Sequence, residues 1–258
     1  MHILLTNDDG YESPGLQALA HGLDRVGDVT VVAPRNDQSG CGREVSEEVD
    51  VETFPRGYIV DGTPVDCVLT GLGALDLDID LVIAGCNVGG NLGRYVLGRS
   101  GTVSAAVEAS FHKLPAIATS LYVPDPQWPL AGTQDDFIEA VRATVYLAER
   151  IDSLQEAHPT GYLNVNAPMP GEDRATMRLT RPSDHYAMKA ELREATVHID
   201  DVVWARMADA PLSEPIHTDR GAVRRGDISV SALDVPYGNH DHDGLASIIG
   251  GVVPNDVE

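Results

Sequence analysis

The chain has 258 residues, of which 40 are acidic and 18 basic, and its formal net charge is −22. Its hydrophobic content of 43% is ordinary, which excludes a disordered protein despite the charge. Sequence-independent binding to nucleic-acid polymers is also excluded, because no basic stripe is present to neutralise phosphates. An acidic surface with two lysines, Lys113 and Lys189, is typical of proteins from a salt-rich cytosol, where screening weakens self-repulsion.

Neither an export signal nor a membrane span is expected. The first residues run directly into a strand-like segment, and no window holds 18 apolar residues. The three cysteines, Cys41, Cys67 and Cys86, lack metal-type spacing and fit a reduced chain. We therefore expect a cytoplasmic protein.

Strand-like and helix-like segments alternate over the first two thirds of the chain. Residues 2–6 form a short apolar run, as in a buried parallel strand. Ser13 and Pro14 form a helix start signal, and residues 28–33 form a second strand. This β-loop-α-β opening has the length of a right-handed crossover unit and predicts a parallel sheet.

The same alternation continues along the chain. It predicts edge strands or a hairpin at 45–54 and 57–61, a helix from Thr63, a strand at 81–84, a loop at 85–99, a helix at 100–112, a strand at 116–120, a capped helix from Thr133 and a strand at 162–166. After about residue 170, β-type segments dominate, at 177–180, 197–204 and 227–232.

The fold class predicted by this pattern is α/β. Residues 1–170 form an α/β core, with a mostly parallel sheet flanked by helices. Residues 171–258 form a smaller β-rich extension or oligomerisation arm, which can pack with the core as one domain.

Two adjacent acids, Asp8 and Asp9, directly follow the first strand. In open α/β sheets, ligands bind beyond the carboxyl ends of the strands. Adjacent carboxylates repel each other unless a cation neutralises them, and such hard oxygen ligands suit Mg²⁺ or Mn²⁺. In the competing interpretation, the two acids stabilise a helix N-terminus, although one acid would suffice for that.

Two polar loops follow neighbouring strands. Ser39 lies after the second strand, where its hydroxyl can complete a metal shell, contact a phosphoryl oxygen or belong to a plain Asx-type turn. Asn87 and Asn91 lie in a Gly-rich loop that can cradle phosphate with backbone N–H groups or be merely flexible. The loop matches neither the dinucleotide fingerprint nor a Walker loop.

A helix start at Ser100-Gly101-Thr102 offers unpaired N–H groups, a natural seat for phosphate, and Ser100 can equally be a simple cap. Acids, amides and hydroxyls from three strand ends therefore predict a site that a metal and an anion share, which suggests metal-assisted phosphoryl hydrolysis. The run His240–Asp243 also looks like a metal cluster, but we favour a solvated polar loop there.

The chain resembles the SurE family, the survival protein E nucleotidases. The resemblance rests on ILLTNDDGYESPGLQAL, VVAPRNDQSG, DGTPVDCV and NVGGNLGRYVLGRSGTVSAAVEAS, followed by LNVNAP and HTD, and covers most of the chain in order. It implies a Rossmann-like core whose C-terminal β-hairpin extension helps to build homodimers or homotetramers. It also implies a divalent-metal-dependent 5′-nucleotidase; some members also act on 3′-nucleotides or short polyphosphate.

The resemblance also implies site roles. One Mg²⁺ or Mn²⁺ per subunit would be held by Asp8, Asp9, Ser39 and Asn87. Phosphate would be contacted by Asn91, Ser100, Gly101 and Thr102.

The chain departs from the family pattern at Arg94 and Arg99, which can attract an anion or pair with acids, and this leaves the substrate preference open. We predict a phosphomonoesterase that acts on nucleoside 5′-monophosphates, with Asp8 or Asp9 as the base for water. Covalent catalysis by Asp8 or Ser39 stays open. The alternative function is a non-catalytic nucleotide-binding module on the same fold.

Overall fold

The structure, a computed structural model, describes residues 1–124, 132–157, 161–209 and 214–235. The strands within these ranges are β1 (His2–Thr6), β2 (Asp28–Pro34), β3 (Val51–Phe54), β4 (Gly57–Val60), β5 (Leu81–Val88), β6 (Ala116–Tyr122), β7 (Gly161–Pro168), β8 (Met177–Thr180), β9 (Met188–Arg193), β10 (Thr196–Asp201) and β11 (Ile228–Asp234). The helices are α1 (Pro14–Leu23), α2 (Pro64–Leu69), α3 (Arg94–Leu97), α4 (Gly101–Phe111), α5 (Ile138–Ala148), α6 (Ile151–Ala157), α7 (Val202–Asp209) and α8 (Asp219–Val223). A π-helical turn covers Thr70–Ala74, and a 3₁₀ turn covers Gln134–Phe137. None of the described helices is long and apolar enough to cross a membrane.

Nine of the described strands form one sheet in the order β3-β4-β2-β1-β5-β6-β7-β11-β8. The six strands from β4 to β7 in this order pair in parallel. β3 is antiparallel to β4, and β11 is antiparallel to β7. The predicted α/β class with a mostly parallel sheet flanked by helices is therefore confirmed. β9 and β10 form a separate antiparallel hairpin.

Successive side chains of β1 alternate between two hydrophobic cores, one on each face of the sheet. Ile3 and Leu5 pack with residues of α1 and α5, whereas Leu4 packs with residues of α2 and α4. A strand buried on both faces has no polar face to show, which explains why the sequence of β1 is a continuous apolar run.

Several helix starts follow the predicted local signals. Ser13 caps α1 with its hydroxyl, and Ser100 caps α4 in the same way. Thr63 and Thr133 each form a capping box with the aspartate three residues later. The sequence predicts these helix starts because the donor and the acceptor of each cap lie within one helical turn of each other.

Two predicted segments differ from the structure. The predicted loop at 85–99 contains the end of β5, which continues to Val88 because Asn87 and Val88 pair with β6 after a register shift. It also contains the short helix α3. The predicted strand at 197–204 ends at Asp201, where α7 begins; Val203 and Met207, one helical turn apart, are buried there in a small apolar cluster.

The described strands after residue 170 belong to two different sheets. β8 and β11 extend the main sheet, and β9 with β10 forms the hairpin. The predicted boundary at residue 170 falls between β7 and β8 and stays a prediction.

Gly15 lies where α1 contacts β5, and a Cβ at this position would lie 2.1 Å from the carbonyl oxygen of Cys86. We expect Gly15→Ala to lower the free energy of unfolding by about 1–3 kcal/mol, because helix and strand must move apart. Gly73 is the matched control, since a Cβ there meets nothing within 4 Å. Thermal unfolding in molar KCl measures both variants, and equal melting temperatures would contradict this packing.

Candidate active site

The carboxyl ends of β1, β2 and β5 meet at one edge of the sheet, because β1 lies between the other two and all three are parallel. Backbone hydrogen bonds join the first two loops that leave this edge. The N–H of Tyr11 donates to the carbonyl of Pro34 at 2.8 Å, and the N–H of Gln38 donates to the carbonyl of Asp8 at 2.7 Å. The predicted segments after β1 and β2 are therefore neighbours.

Asp8 is buried and held by the first turn of α4. Its Oδ1 accepts from Thr102 Oγ1 at 2.5 Å, and its Oδ2 accepts from the Thr102 N–H at 3.1 Å. A Cβ at Gly101 would lie 2.9 Å from the Asp8 Cβ, so this approach requires glycine. Burial raises the pKa of Asp8, and the bonds from Thr102 oppose that rise. Asp8 therefore accepts a backbone N–H at the start of α4. The start of α1, the helix that follows Asp8 and Asp9 in the chain, is capped by Ser13 instead.

Asp9 accepts a hydrogen bond at Oδ2 from the N–H of Val88 at the end of β5, at 3.1 Å. Burial raises the pKa of Asp9 to about 7, and the carboxylate of Asp8 adds to the rise. The carboxylate of Asp37, on the second loop, raises the pKa of both acids further. Within the described ranges no lysine, arginine or histidine forms an ion pair with Asp8 or Asp9. The two carboxylates therefore lack a countercharge from the part of the chain that the structure describes.

Ser39 is exposed and belongs to an Asx-type turn. Its N–H and its hydroxyl both donate to Asp37 Oδ1, at 2.7 and 2.6 Å. The structure thus contains the turn that was one of the interpretations of this loop. The turn lies next to Gln38, whose N–H contacts Asp8, and the metal role of Ser39 stays a prediction.

The two predicted asparagines lie at different depths. Asn87 is half-buried and precedes Val88, the donor to Asp9. Asn91 is buried; its side-chain amide donates to Ser120 Oγ at 2.9 Å. Asn87 is therefore adjacent to the acidic pair, and the side chain of Asn91 is held from β6.

The start of α4 combines the three predicted phosphate residues. The hydroxyl of Ser100 accepts from the N–H of Val103 at 3.1 Å, and both donors of Thr102 go to Asp8. Thr102 thus positions the carboxylate of Asp8 in this structure. The contacts of Ser100, Gly101 and Thr102 with phosphate stay predictions.

The two arginines that depart from the family pattern have different partners. Arg94 forms an ion pair with Asp184 at 2.6 Å, as the acid-pairing interpretation held. Arg99 donates to the hydroxyl of Tyr95 at 2.5 Å, with its guanidinium 5.3 Å from the centroid of that ring. In the part of the chain that the structure describes, Arg99 forms no ion pair.

The predicted metal ligands at this edge, Asp8, Asp9, Ser39 and Asn87, offer oxygens. Across residues 1–124, 132–157, 161–209 and 214–235, no group of three or more His, Cys, Asp and Glu side chains is placed to hold a metal ion. The predicted set does not require one, because hydroxyl and amide oxygens complete a pair of carboxylates. The run His240–Asp243 lies outside the described residues.

Comparison with known proteins decides the family. A family model described as survival protein SurE matches residues 3–189. The chain belongs to the SurE family. Over 252 residues it is 50% identical to the 5′-nucleotidase SurE of Natronomonas pharaonis, a match that covers 96% of this chain and 98% of the relative. It is 49% identical over 258 residues to the 5′-nucleotidase SurE of Haloarcula marismortui, covering 98% and 96% of the two chains. The crystal structure of SurE from Aquifex aeolicus aligns with a TM-score of 0.76 at 31% identity, over 93% of this chain and 95% of that one.

Sequence reasoning missed the polar cluster that holds the Asn91 loop of this SurE-family chain. Asn164 and Asn166 on β7 donate to the carbonyl of Asn91 at 2.9 and 3.2 Å. Asp219 accepts from the N–H of Gly93 at 2.6 Å. The motifs LNVNAP and HTD contain these residues, but their partners lie 73 to 126 positions away in the chain. Local patterns therefore carry no signal for their role.

Arg220 is the buried cation of this cluster, with 1% of its surface exposed. Its Nη2 donates to the carbonyl of Leu92 at 3.0 Å, and its Nη1 donates to the carbonyl of His185 at 2.8 Å. A Cβ at Gly93, where φ is +84°, would lie 2.4 Å from Nη2. Burial raises the pKa of Asp219 and lowers the pKa of Arg220, while the attraction between the two charges opposes both shifts.

We expect Arg220→Met to lower the free energy of unfolding by about 3–5 kcal/mol, because the carbonyls of Leu92 and His185 lose their donor and Asp219 loses its countercharge. Arg150→Met is the matched control, since Arg150 pairs with Glu149 at the surface and such pairs contribute about 0–1 kcal/mol. Denaturant unfolding in molar KCl measures both variants. Equal losses would show that the buried guanidinium does not hold this loop.

Proposed function

We propose that this chain is a divalent-metal-dependent nucleotidase that hydrolyses nucleoside 5′-monophosphates to nucleoside and phosphate. Membership of the SurE family supports the proposal, as do relatives named 5′-nucleotidase SurE that share about half of its residues over nearly the whole length. One observation carries the proposal. Asp8 and Asp9 are adjacent, desolvated carboxylates at the carboxyl end of a central strand, and no cationic side chain of the described residues pairs with them.

The donor chemistry fits one Mg²⁺ or Mn²⁺ per subunit. Asp8, Asp9, Ser39 and Asn87 offer carboxylate, hydroxyl and amide oxygens, which are the ligands that these hard cations prefer. When bound, the cation supplies positive charge against the phosphoryl oxygens and lowers the pKa of a coordinated water.

The chain's own groups have separate roles in this proposal. Thr102 holds Asp8 in place with two donors. Asp9 uses Oδ2 for the N–H of Val88, and we assign its Oδ1 as the acceptor for the proton of the attacking water. The side-chain amide of Asn91 has two N–H donors. One donates to Ser120, so the other can donate to a phosphoryl oxygen.

The same proposal assigns phosphate contacts at the start of α4. The N–H groups of Thr102 and Val103 already donate to Asp8 and Ser100. The remaining N–H groups of this first turn and the positive end of the helix dipole would face the developing charge. Gly101 contributes its backbone to this phosphate contact, while its missing side chain leaves room for Asp8. Ser100 sets the start of the helix by capping it.

We expect Asp9→Asn to lower kcat about 100-fold or more, because the amide cannot accept a proton and binds a cation weakly. Asp28→Asn is the matched control, since Asp28 is exposed at the opposite end of the sheet. Phosphate release is measured from nucleoside 5′- and 3′-monophosphates in molar KCl with Mn²⁺, Mg²⁺ or EDTA.

The outcomes separate the two functions. Metal-dependent release that Asp9→Asn abolishes and Asp28→Asn retains supports the nucleotidase. An undiminished rate in Asp9→Asn contradicts the site. Nucleotide that stays bound and uncleaved by the folded parent with metal present favours the nucleotide-binding module.

We also propose that the protein is cytoplasmic and that its partner is not a nucleic-acid polymer. The three cysteines are free, as in a reduced compartment. The net charge of −22 repels a polyphosphate backbone. The relatives named above come from halophilic archaea, which supports the interpretation of the acidic surface as an adaptation to salt.

We also propose that the chain assembles into a homodimer or homotetramer through the β9–β10 hairpin. On this hairpin Leu192 lies opposite Val197 in the strand register, and Ile199 follows Val197 on the same face. These three side chains are 69%, 54% and 67% exposed. A two-stranded ribbon with an uncovered apolar face is marginal by itself, and a second copy would cover it.

We expect Leu192→Glu combined with Ile199→Glu to reduce the particle to a smaller species, because charges on that face cannot be buried against a partner. His198→Glu is the matched control on the opposite face of the same strand. Light scattering in molar KCl measures the mass of each variant. An unchanged mass for the double variant would place the interface elsewhere.

A further inference from the structure

Tyr95, Arg99 and Tyr186 form a cluster of aromatic and cationic side chains beside the site. The rings of Tyr95 and Tyr186 meet edge to face, with centroids 4.9 Å apart and planes at 72°. The guanidinium of Arg99 lies 5.3 Å from the centroid of the Tyr95 ring. Tyr186 is 61% exposed, and Arg99 is also exposed. Aromatic surface in this cluster therefore faces solvent instead of the core.

Two observations bring the cluster close to the proposed phosphate site. Its first two members lie in the chain between Asn91 and Ser100, both assigned above to the phosphate. The same segment contacts the loop that carries Ser39, because a Cβ at Gly42 would lie 3.4 Å from the carbonyl oxygen of Gly98. A phosphate held at this edge would thus have the cluster next to it.

The third member is tied to the first two by contacts of α3. The backbone N–H of Arg94 donates to the carbonyl of Ser183 at 3.0 Å. The side chain of Arg94 pairs with Asp184 at 2.6 Å. These two contacts fix the segment just before Tyr186 against α3, so that the two tyrosine rings meet.

We propose that Tyr95, Arg99 and Tyr186 form the subsite for the nucleobase. The inference rests on the proposed function and names the residues that would contact the base of the nucleoside monophosphate. Aromatic rings stack on every base, and a nearby guanidinium adds a cation–π contact, so the cluster selects for a base and discriminates little among bases. A phosphomonoester without a base would gain no binding free energy from this cluster.

The test compares AMP with ribose 5-phosphate, which has the same phosphate and sugar without the base. The full-length chain is assayed in molar KCl with Mn²⁺. Tyr95→Ala and Tyr186→Ala are expected to lower kcat/KM for AMP about tenfold, mainly through KM, and to leave ribose 5-phosphate within about twofold of the parent. Tyr95→Phe and Tyr186→Phe keep the ring and are expected to retain the AMP value.

Tyr146→Ala is the matched control. Tyr146 is 44% exposed on α5, and the guanidinium of Arg150 lies 3.7 Å from its ring centroid. This pair repeats the Arg–Tyr stacking away from the sheet edge that carries the site. Its loss is expected to leave both substrates at the parental values.

Adenosine binding in EDTA, measured by calorimetry, separates this inference from the nucleotidase itself. Binding that weakens in Tyr95→Ala and Tyr186→Ala and persists in Tyr146→Ala supports the subsite even where no phosphate is released, an outcome that would refute the proposed function. The absence of such binding overturns the subsite. Equal losses for AMP and ribose 5-phosphate, or equal kcat/KM for the two in the parent, also overturn it and leave a phosphomonoesterase.

Discussion

The hydrogen bonds between Asp8 and Thr102 are the contact on which the candidate site depends. They join the end of β1 to the first turn of α4, two elements 94 positions apart in the chain. A buried carboxylate is costly unless donors or a cation offset its desolvation, and Thr102 supplies two donors. Gly101 is the steric condition for this approach, since a Cβ there would lie 2.9 Å from the Cβ of Asp8. In the proposed site, this one contact would set the positions of both the cation and the phosphate.

The net charge of the protein and the binding of a phosphate dianion place opposite requirements on the charge near the acidic pair. A surface with a net charge of −22 repels a phosphate dianion at long range, although salt shortens that range. Local groups must therefore provide the attraction. The carboxylates of Asp8 and Asp9 cannot do so unaided, and they lie where a cation would reverse the sign of the local charge. Arg99, which forms no ion pair among the described residues, would be a second source of positive charge in the proposed site.

Most of the fold was predictable because its signals are local. The apolar runs of β1 and β5 and the caps at Ser13 and Thr63 depend on residues within a few positions of one another. The position of Asp8 and Asp9 followed from the rule that parallel strands end at one sheet edge. Pairing between distant segments was not predictable: glycine and asparagine made the end of β5 read as a loop, and the neighbouring β6 turned it into a strand. Valines at 202 and 203 favour a strand locally, yet burial against distant residues selects α7.

The support of the site reaches beyond the segment that identifies the family. The family model matches residues 3–189, which include all the predicted site residues. Yet the loop of Asn91 is held by Asp219 through the N–H of Gly93 and by Arg220 through the carbonyl of Leu92. Because buried charged groups are stable only with their hydrogen-bond partners in place, the loop and the C-terminal segment must fold together. The matched segment thus contains the candidate site residues, and residues after it hold the loop of Asn91 in position, which agrees with the match of the curated relatives over nearly the whole chain.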